Sequence, residues 1–321
     1  MIRQLKSRLI GARQRLADGA FSALTGTDWN NPAAYACERI LAQLGICAAT
    51  VDEFGGQPAA RLTTHEGTHF CGPNTPADWN CSNARLAQLR ACVRKLPELS
   101  GLKLSDAHIA LLSNLIVRYV TEFSAYPYQA FRTSTLQPGD TFVDIGAFRG
   151  YVALKAARKV GANGNVFAFE PMANNFAFLE AHKTLNDLDN LTVIQSVVSD
   201  DPAADLPFFT ETNQRNALVT DHLTGQTSRT TVNNTSSQSL VQMIDPQHGA
   251  RVCCSVTTNG TEMQLSKSLI EHFAARGAQT LELTLPIIYT RSQVPEFIAS
   301  LGRTVAGTQL GYPWLKLWIR F

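Results

Sequence analysis

From Thr141 onward, apolar runs of about five residues alternate with glycine turns and with longer stretches whose apolar positions recur every three or four residues. TFVDI (141–145), with Phe142, Val143 and Ile145, reads as a short apolar strand. GAFRG is its turn, and YVALKAARKV has the helical period and stops at Gly161. NVFAFE is the next strand, MANNFAFLEAHKTLND a second helix and LTVIQSVVS a third strand. This alternation predicts a parallel sheet with helices on both faces. Because such crossovers are right-handed, the turns after the strands gather on one rim, where ligands of these sheets bind.

Farther along, ADLPFFTE reads as a strand and SRTTVNNTSSQSL as a flexible polar loop. RVCCSV is a buried strand, SKSLIEHFAARGA a helix, TLELTLPII a strand, PEFIASLG a short helix and WLKLWIRF a closing strand, giving about six or seven strands in all. Before residue 100 the periodic fragments are shorter and broken by Gly, Pro, Asn and Thr. The expectation is a mainly helical region over 1–104 and an α/β domain over 105–321. In the first, helices are expected at 34–44 and 82–96 and a loop at 55–80; the second opens with a helix over 105–123, N-capped by Ser105.

Composition narrows the class. Hydrophobic residues make up 45% and charged residues 17%, with a net charge of +2, which excludes a disordered chain and a supercharged nucleic-acid binder, so no nucleic-acid partner is expected. No transmembrane segment is expected, because the most apolar helical stretch, HIALLSNLIVRYV, is interrupted by Ser113, Asn114 and Arg118. Seven scattered cysteines, an odd number, point to a reducing compartment and hence to the cytoplasm. Residues 1–24 place Arg3, Lys6, Arg8, Arg13 and Arg15 beside a helical stripe of Ile2, Leu5, Leu9, Ala12 and Leu16. Lacking the apolar run of a secretory signal, they form a basic amphipathic helix that either lies peripherally on an anionic membrane or, the preferred placement, packs on its own domain.

The chemistry concentrates in VDIGAFRG and FAFEP. Glycine at 146 permits a tight turn and close approach to a ligand, and Gly150 removes a side chain where the helix starts. Glu170, at the end of the second strand, can accept both hydroxyl hydrogens of a ribose. An adenosine-containing cofactor is therefore expected across the two strand ends. Where a dinucleotide fingerprint has its second glycine, this chain has Phe148. S-adenosylmethionine, which has no phosphate, fits better; Arg149 keeps a nicotinamide dinucleotide open as the alternative.

The run from 141 to 200 resembles the FkbM-type family of class I S-adenosylmethionine-dependent methyltransferases, whose members read like VDVGANIGYYTLLAAK, then VIAFEPNPENF, a helix, an N-x-T-V strand and Ser-Asp. The resemblance implies a Rossmann-like fold with a mostly parallel seven-stranded sheet. It also implies that Asp144, Gly146 and Gly150, with Ala147 between them, line the methionine end of the cofactor, Glu170 the ribose, and Ser199 with Asp200 the adenine. The family's later strand, ending in lysine and followed by Ile-Asp-Val-Glu-Gly-x-Glu, corresponds to Ser255–Glu262 here, with Ser255, Thr257 and Asn259 replacing its lysine, aspartate and glutamate. Asn259 and Glu262 are the candidates for acceptor orientation and general base. The activity that the resemblance implies is O-methylation of a hydroxyl on a small molecule, sugar or other glycan. The three replacements keep a catalytically inactive cofactor-binding scaffold as the second reading.

Other motifs carry less. His65, Glu66 and His69 spell the metalloprotease His-Glu-x-x-His, with Gly72 placed as in its longer form, but the motif needs a helix to bring both imidazoles to one face, and here it is embedded in Thr, Gly and Pro. Cys71 and Cys81 are the residues that would complete a structural zinc site; no metal is expected. Cys253 and Cys254, adjacent on a strand, point to opposite faces and are expected to pack. Asn-x-Ser/Thr sites begin at Asn80, Asn190, Asn233, Asn234 and Asn259 and matter only in a secreted chain.

Overall fold

The computed structural model describes residues 45–54, 57–73, 105–118, 131–211, 216–218, 227–244, 251–287, 291–311 and 314–321. These fall into two units, 1–130 with 184–187, and 131–183 with 188–321. The basic segment 1–24 and the helices expected at 34–44 and 82–96 lie outside the described residues.

The first unit holds an antiparallel sheet of β1 (Ile46–Phe54), β2 (Gln57–Thr64) and β3 (His69–Pro73) in that order. This replaces the loop expected over much of 55–80, so the described part of 1–104 is strand rather than helix. The reason is an alternation of period two: Ala60, Leu62 and Thr64 are buried while Arg61 and Thr63 are half-buried. Much of the glycine, proline and threonine that read as loop lies within the strands themselves, as Pro58, Thr63 and Thr64 of β2 and Gly72 and Pro73 of β3. Helix α1 (Asp106–Arg118) packs on all three strands, and Ser105 caps it by accepting the His108 N–H at 3.3 Å.

The second unit is built on a seven-stranded sheet. Its strands are β4 (Thr141–Ile145), β5 (Asn165–Phe169), β6 (Leu191–Ile194), β11 (Val252–Val256), β12 (Thr280–Pro286), β13 (Val305–Gly311) and β14 (Trp314–Arg320). The order is β13-β14-β12-β11-β4-β5-β6, with β14 antiparallel to both neighbours and the other neighbouring strands parallel. With α2 (Tyr151–Val160) and α3 (Ala173–Leu185) between the early strands, and α4 (Ser237–Ile244), α5 (Glu262–Ala275) and α6 (Val294–Leu301) between the later ones, this is a Rossmann-like doubly wound fold. The order reverses beside β4, whose C-terminal end therefore opens a crevice.

The two faces of this sheet are unlike. Val143, Ile145, Val252, Cys254, Leu281, Leu283, Leu315 and Leu317 form one apolar cluster with Leu240 of α4, Leu265, Leu269 and Phe273 of α5, and Phe297 of α6. Each such side chain, fully buried, is worth about 1.5–3 kcal/mol. On the opposite face α2 packs over β4, β5 and β6, while farther across lie Glu282 and Lys316, both buried and ion-paired at 2.9 Å. Glu282 also accepts hydrogen bonds from Arg251 at 2.9 Å, Trp318 at 3.0 Å and Thr135. Burial pushes its pKa up, but the bond from Thr135, the Lys316 charge and Arg251 together outweigh burial and hold it below the ordinary value. Cys253 and Cys254 do occupy opposite faces as buried thiols, their pKa values pushed up by burial.

A second sheet joins β7 (Val197–Val198), β8 (Asp205–Glu211), β9 (Asn216–Ala217) and β10 (Thr227–Thr235) in the order β7-β10-β8-β9. Here the expected polar loop divides between strand β10 and the start of α4, with β10 antiparallel to β8 from Thr227 opposite Glu211 to Asn233 opposite Asp205. Its threonines favour the extended backbone, and its one apolar residue, Val232, is buried with Val197, Leu206 and Phe208. Among the described residues no helix is long and apolar enough to cross a membrane.

Removing the Glu282 carboxylate would strand the fully buried Lys316 ammonium. Glu282→Ala is expected to lower unfolding free energy by about 3–5 kcal/mol, read by urea titration. Because the Glu282 pKa is depressed, the stability it supplies is present above the unfolded-state pKa and is lost on acidification through the folded one, so the wild-type advantage should shrink toward acid pH.

Candidate functional site at the strand ends

Where the strand order reverses, the ends of β4, β5 and β11 and the start of the second sheet line an open cleft. Its lining includes Ile145, Gly146 and Phe148 after β4, Glu170, Pro171 and Asn175 after β5, Ser196 to Val198 after β6, Thr257 to Asn259 after β11, and the apolar Phe208 and Leu218.

Gly146 has φ +80°, and a Cβ placed on it would lie 2.3 Å from the Thr257 carbonyl oxygen. Thr257 fixes that approach: its N–H donates to the Ile145 carbonyl at 2.9 Å, and its hydroxyl lies 2.8 Å from the same oxygen and 3.0 Å from the Gly146 carbonyl. Thr257 is thus consumed in joining the two strand ends. The turn itself is held by its own amides. The N–H groups of Gly146 and Ala147 donate to the Phe169 carbonyl at 3.0 and 2.9 Å, that of Phe148 to Glu170 Oε2 at 2.9 Å, and that of Gly150 to the Ala147 carbonyl at 2.9 Å. Gly150, at φ +83°, brings α2 against Leu179 of α3.

Phe148 sits at φ +57°, a left-handed conformation that costs a bulky L-residue roughly 1–2 kcal/mol. Arg149 is buried, with its guanidinium 4.5 Å from the Phe148 ring centroid and 5.8 Å from that of Phe178. The Arg149 carbonyl accepts the Nδ1–H of buried His182 at 2.7 Å, and burial lowers the His182 pKa to about 4, so this imidazole is neutral at physiological pH.

Glu170 is 5% exposed, and its Oε1 accepts from the Met172 N–H at 3.0 Å and the Asn175 amide at 3.2 Å. Burial nevertheless outweighs these donors and raises its pKa to about 7. Oε2, which accepts from the Phe148 N–H, keeps room for another donor from the cleft.

The other predicted site residues are distributed differently. Asp144 does not line the cleft: it is fully buried on the charged face, paired with Arg132, whose Nε also donates to Ser255 at 2.6 Å. Burial raises the Asp144 pKa, against the lowering effect of Arg132. Ala147 and Gly150 stand behind the turn rather than in the lining. Ser199 donates to Asn234 at 3.1 Å and accepts the Asp201 N–H at 3.2 Å, and Asp200 accepts from Ser237, so both tie β7 to β10 and α4 and neither lines the cleft. Asn259 lines it, at φ +57°. Glu262 does not; buried in the first turn of α5, it accepts the Gly260 N–H at 2.8 Å and braces the loop that carries Asn259.

Sequence reasoning missed Arg132, the partner of Asp144, and the walls Phe208 and Leu218, which reach the cleft from a sheet read partly as loop. Strand parity is the signal that turns Asp144 away from Val143 and Ile145. The His-Glu-x-x-His stretch is the β2–β3 hairpin turn, with His65 and Glu66 exposed and His69 Nδ1 3.0 Å from the Thr63 hydroxyl. Cys71 is buried on β3, and Cys81 lies outside the described residues. Among the described residues no cluster of three or more His, Cys, Asp or Glu side chains could hold a metal ion.

No family model and no curated protein matches this sequence. Among solved structures the chain is similar to a SAM-dependent methyltransferase from Aquifex aeolicus, at 13% identity over 63% of this chain and 92% of that one, with TM-score 0.37. It is also similar to a putative rRNA methylase from Clostridium thermocellum, at 15% identity over 62% and 97%, TM-score 0.38, and to a putative methyltransferase from Streptococcus mutans in complex with SAH, at 10% identity over 59% and 93%, TM-score 0.36. The expectation of no nucleic-acid partner is withdrawn, since similar structures include rRNA methylases. The fold assignment rests on the strand order described above.

Gly146→Ala sets a Cβ against the Thr257 backbone in a conformation that L-residues disfavour. A melting temperature within a degree of wild type would show that the strand ends can part; the expected outcome is a loss of at least about 2 kcal/mol in unfolding free energy.

Proposed function

We propose that this chain is an S-adenosylmethionine-dependent methyltransferase whose catalytic domain is the second unit and whose cofactor site is the strand-end cleft. The observation that carries the reading is the state of the turn amides. Those of Gly146, Ala147, Phe148 and Gly150 all donate to protein acceptors, so these four amides of the turn are already engaged and offer a diphosphate no free N–H. Arg149, the residue that would favour a dinucleotide, is stacked on Phe148 and Phe178. Glu170 Oε2 suits a ribose hydroxyl, and Val198, Phe208 and Leu218 supply apolar wall for an adenosine. When bound, S-adenosylmethionine supplies an electrophilic methyl group on a sulfonium; the protein's part is to orient the acceptor and exclude water.

The FkbM branch, and with it a hydroxyl acceptor on a sugar or metabolite, rests on the motif resemblance alone. A hydroxyl must lose a proton in the reaction, and Glu170 is the one carboxylate among the described lining residues. Asn259 is placed to orient an acceptor but cannot take its proton. The engagement of Thr257 and Glu262 in backbone bonds favours, as the second reading, a cofactor-binding protein without catalysis.

Isothermal titration tests the cofactor. S-adenosylhomocysteine is expected to bind and NAD is not; NAD binding alone would overturn the reading. Glu170→Ala should weaken binding by about 1.5–3 kcal/mol, roughly ten- to a hundredfold. A donating ribose favours the ionised carboxylate, whose pKa is raised to about 7 in the free protein, so affinity should climb as pH rises through that value and flatten above it.

Labelled methyl donor with a panel of hydroxylated, amine and nucleic-acid acceptors separates the two readings. Reproducible transfer that is abolished by Gly146→Arg identifies an enzyme. A chain that binds the cofactor and labels no acceptor in the panel supports the scaffold.

A further inference from the structure

We propose that Phe148 is the specificity-determining residue of the cleft: its ring occupies the space that a pyrophosphate-binding glycine leaves open, and so selects an adenosine with an uncharged thioether or sulfonium 5′-substituent over one carrying a diphosphate. The inference rests on the cofactor reading above and deepens it.

Three observations converge on this residue. Phe148 lines the cleft from a left-handed backbone conformation, φ +57°, that a bulky side chain holds only when its surroundings enforce it. The surroundings do so on both sides of the Phe148–Arg149 peptide. Glu170 Oε2 takes the Phe148 N–H at 2.9 Å, and His182 donates to the Arg149 carbonyl at 2.7 Å. The ring is then backed by the Arg149 guanidinium at 4.5 Å and by Tyr151 edge-on, with centroids 6.2 Å apart, which leaves it little freedom to swing aside. Strained, clamped and buttressed, the ring stands at the start of α2, where a diphosphate would have to approach the helix N-terminus. Its hydrogen-bonded N–H gives that diphosphate nothing in return.

The test compares S-adenosylhomocysteine with ADP-ribose by isothermal titration on the full chain, in wild type, Phe148→Gly and Phe148→Asn. Both replacements accept a positive φ, so the turn can persist without the ring, and Asn carries the test if the glycine variant fails to fold. Wild type is expected to prefer S-adenosylhomocysteine strongly. The preference should fall at least tenfold in either variant, through a loss of S-adenosylhomocysteine binding, a gain of ADP-ribose binding, or both. A wild-type chain that binds S-adenosylhomocysteine and keeps the same preference in both folded variants overturns the role of Phe148 and leaves the cofactor reading intact. Wild type that fails to bind S-adenosylhomocysteine overturns both.

Discussion

Everything at the rim depends on how closely two parallel strands end beside each other. Gly146 and Thr257 approach until no side chain fits between them, and the Thr257 hydroxyl and amide lock that distance against the carbonyls of Ile145 and Gly146. With β4 and β11 pinned there, the turn after β4 must bend toward β5, where Phe169 and Glu170 collect three of its amides. A bend that uses its donors internally creates a cleft walled by side chains rather than by polar backbone. The preference proposed above, for an adenosine without phosphates, would stem from that single constraint.

Beneath the rim the sheet is asymmetric. One face is a continuous apolar cluster against α4, α5 and α6; the other buries Asp144 with Arg132 and Glu282 with Lys316 and Arg251. Ion pairs in such a place contribute little net stability beside well-packed apolar groups, because desolvation offsets most of their attraction. They do make any other register costly. Arg132 reaches across from the segment before β4 and bonds both Asp144 of β4 and Ser255 of β11, adjacent in the sheet register. The pairing that sets the Gly146 approach is therefore fixed from below as well as at the rim.

Much of the doubly wound core is legible in the sequence because its signals are local. The change of hydrophobic period from strand to helix, Gly146 and Gly150 at the turn, and Glu170 at a strand end all lie within thirty residues of one another. The elements that escape such a reading depend on partners distant in sequence or on strands poor in apolar residues. β10 has one buried apolar side chain, Val232, and β2 alternates alanine and leucine with arginine and threonine, so both read as loop. Asp144 reads as ligand-facing since nothing local reveals Arg132, which meets it only after folding. Glu262 has the chemistry of a base, but a glutamate in a helix's first turn that accepts a preceding amide is answering a backbone need. Ser199 and Asp200 likewise meet needs of the second sheet that no single segment displays.

The strand order of the main sheet also has a bearing on how it assembles. β14, although later in sequence than β13, lies between β13 and β12, so β13 touches the rest of the sheet only through β14. The edge strand has nowhere to dock until its partner arrives. β13 and β14, separated by two residues, form an antiparallel hairpin, and Lys316 is carried on its inner strand. Without β14, Glu282 would lack its buried cation and β12 would be an open edge. The same strand thus supplies β12 with hydrogen-bond pairing, with apolar contact at Leu283 and with the cation that neutralises Glu282.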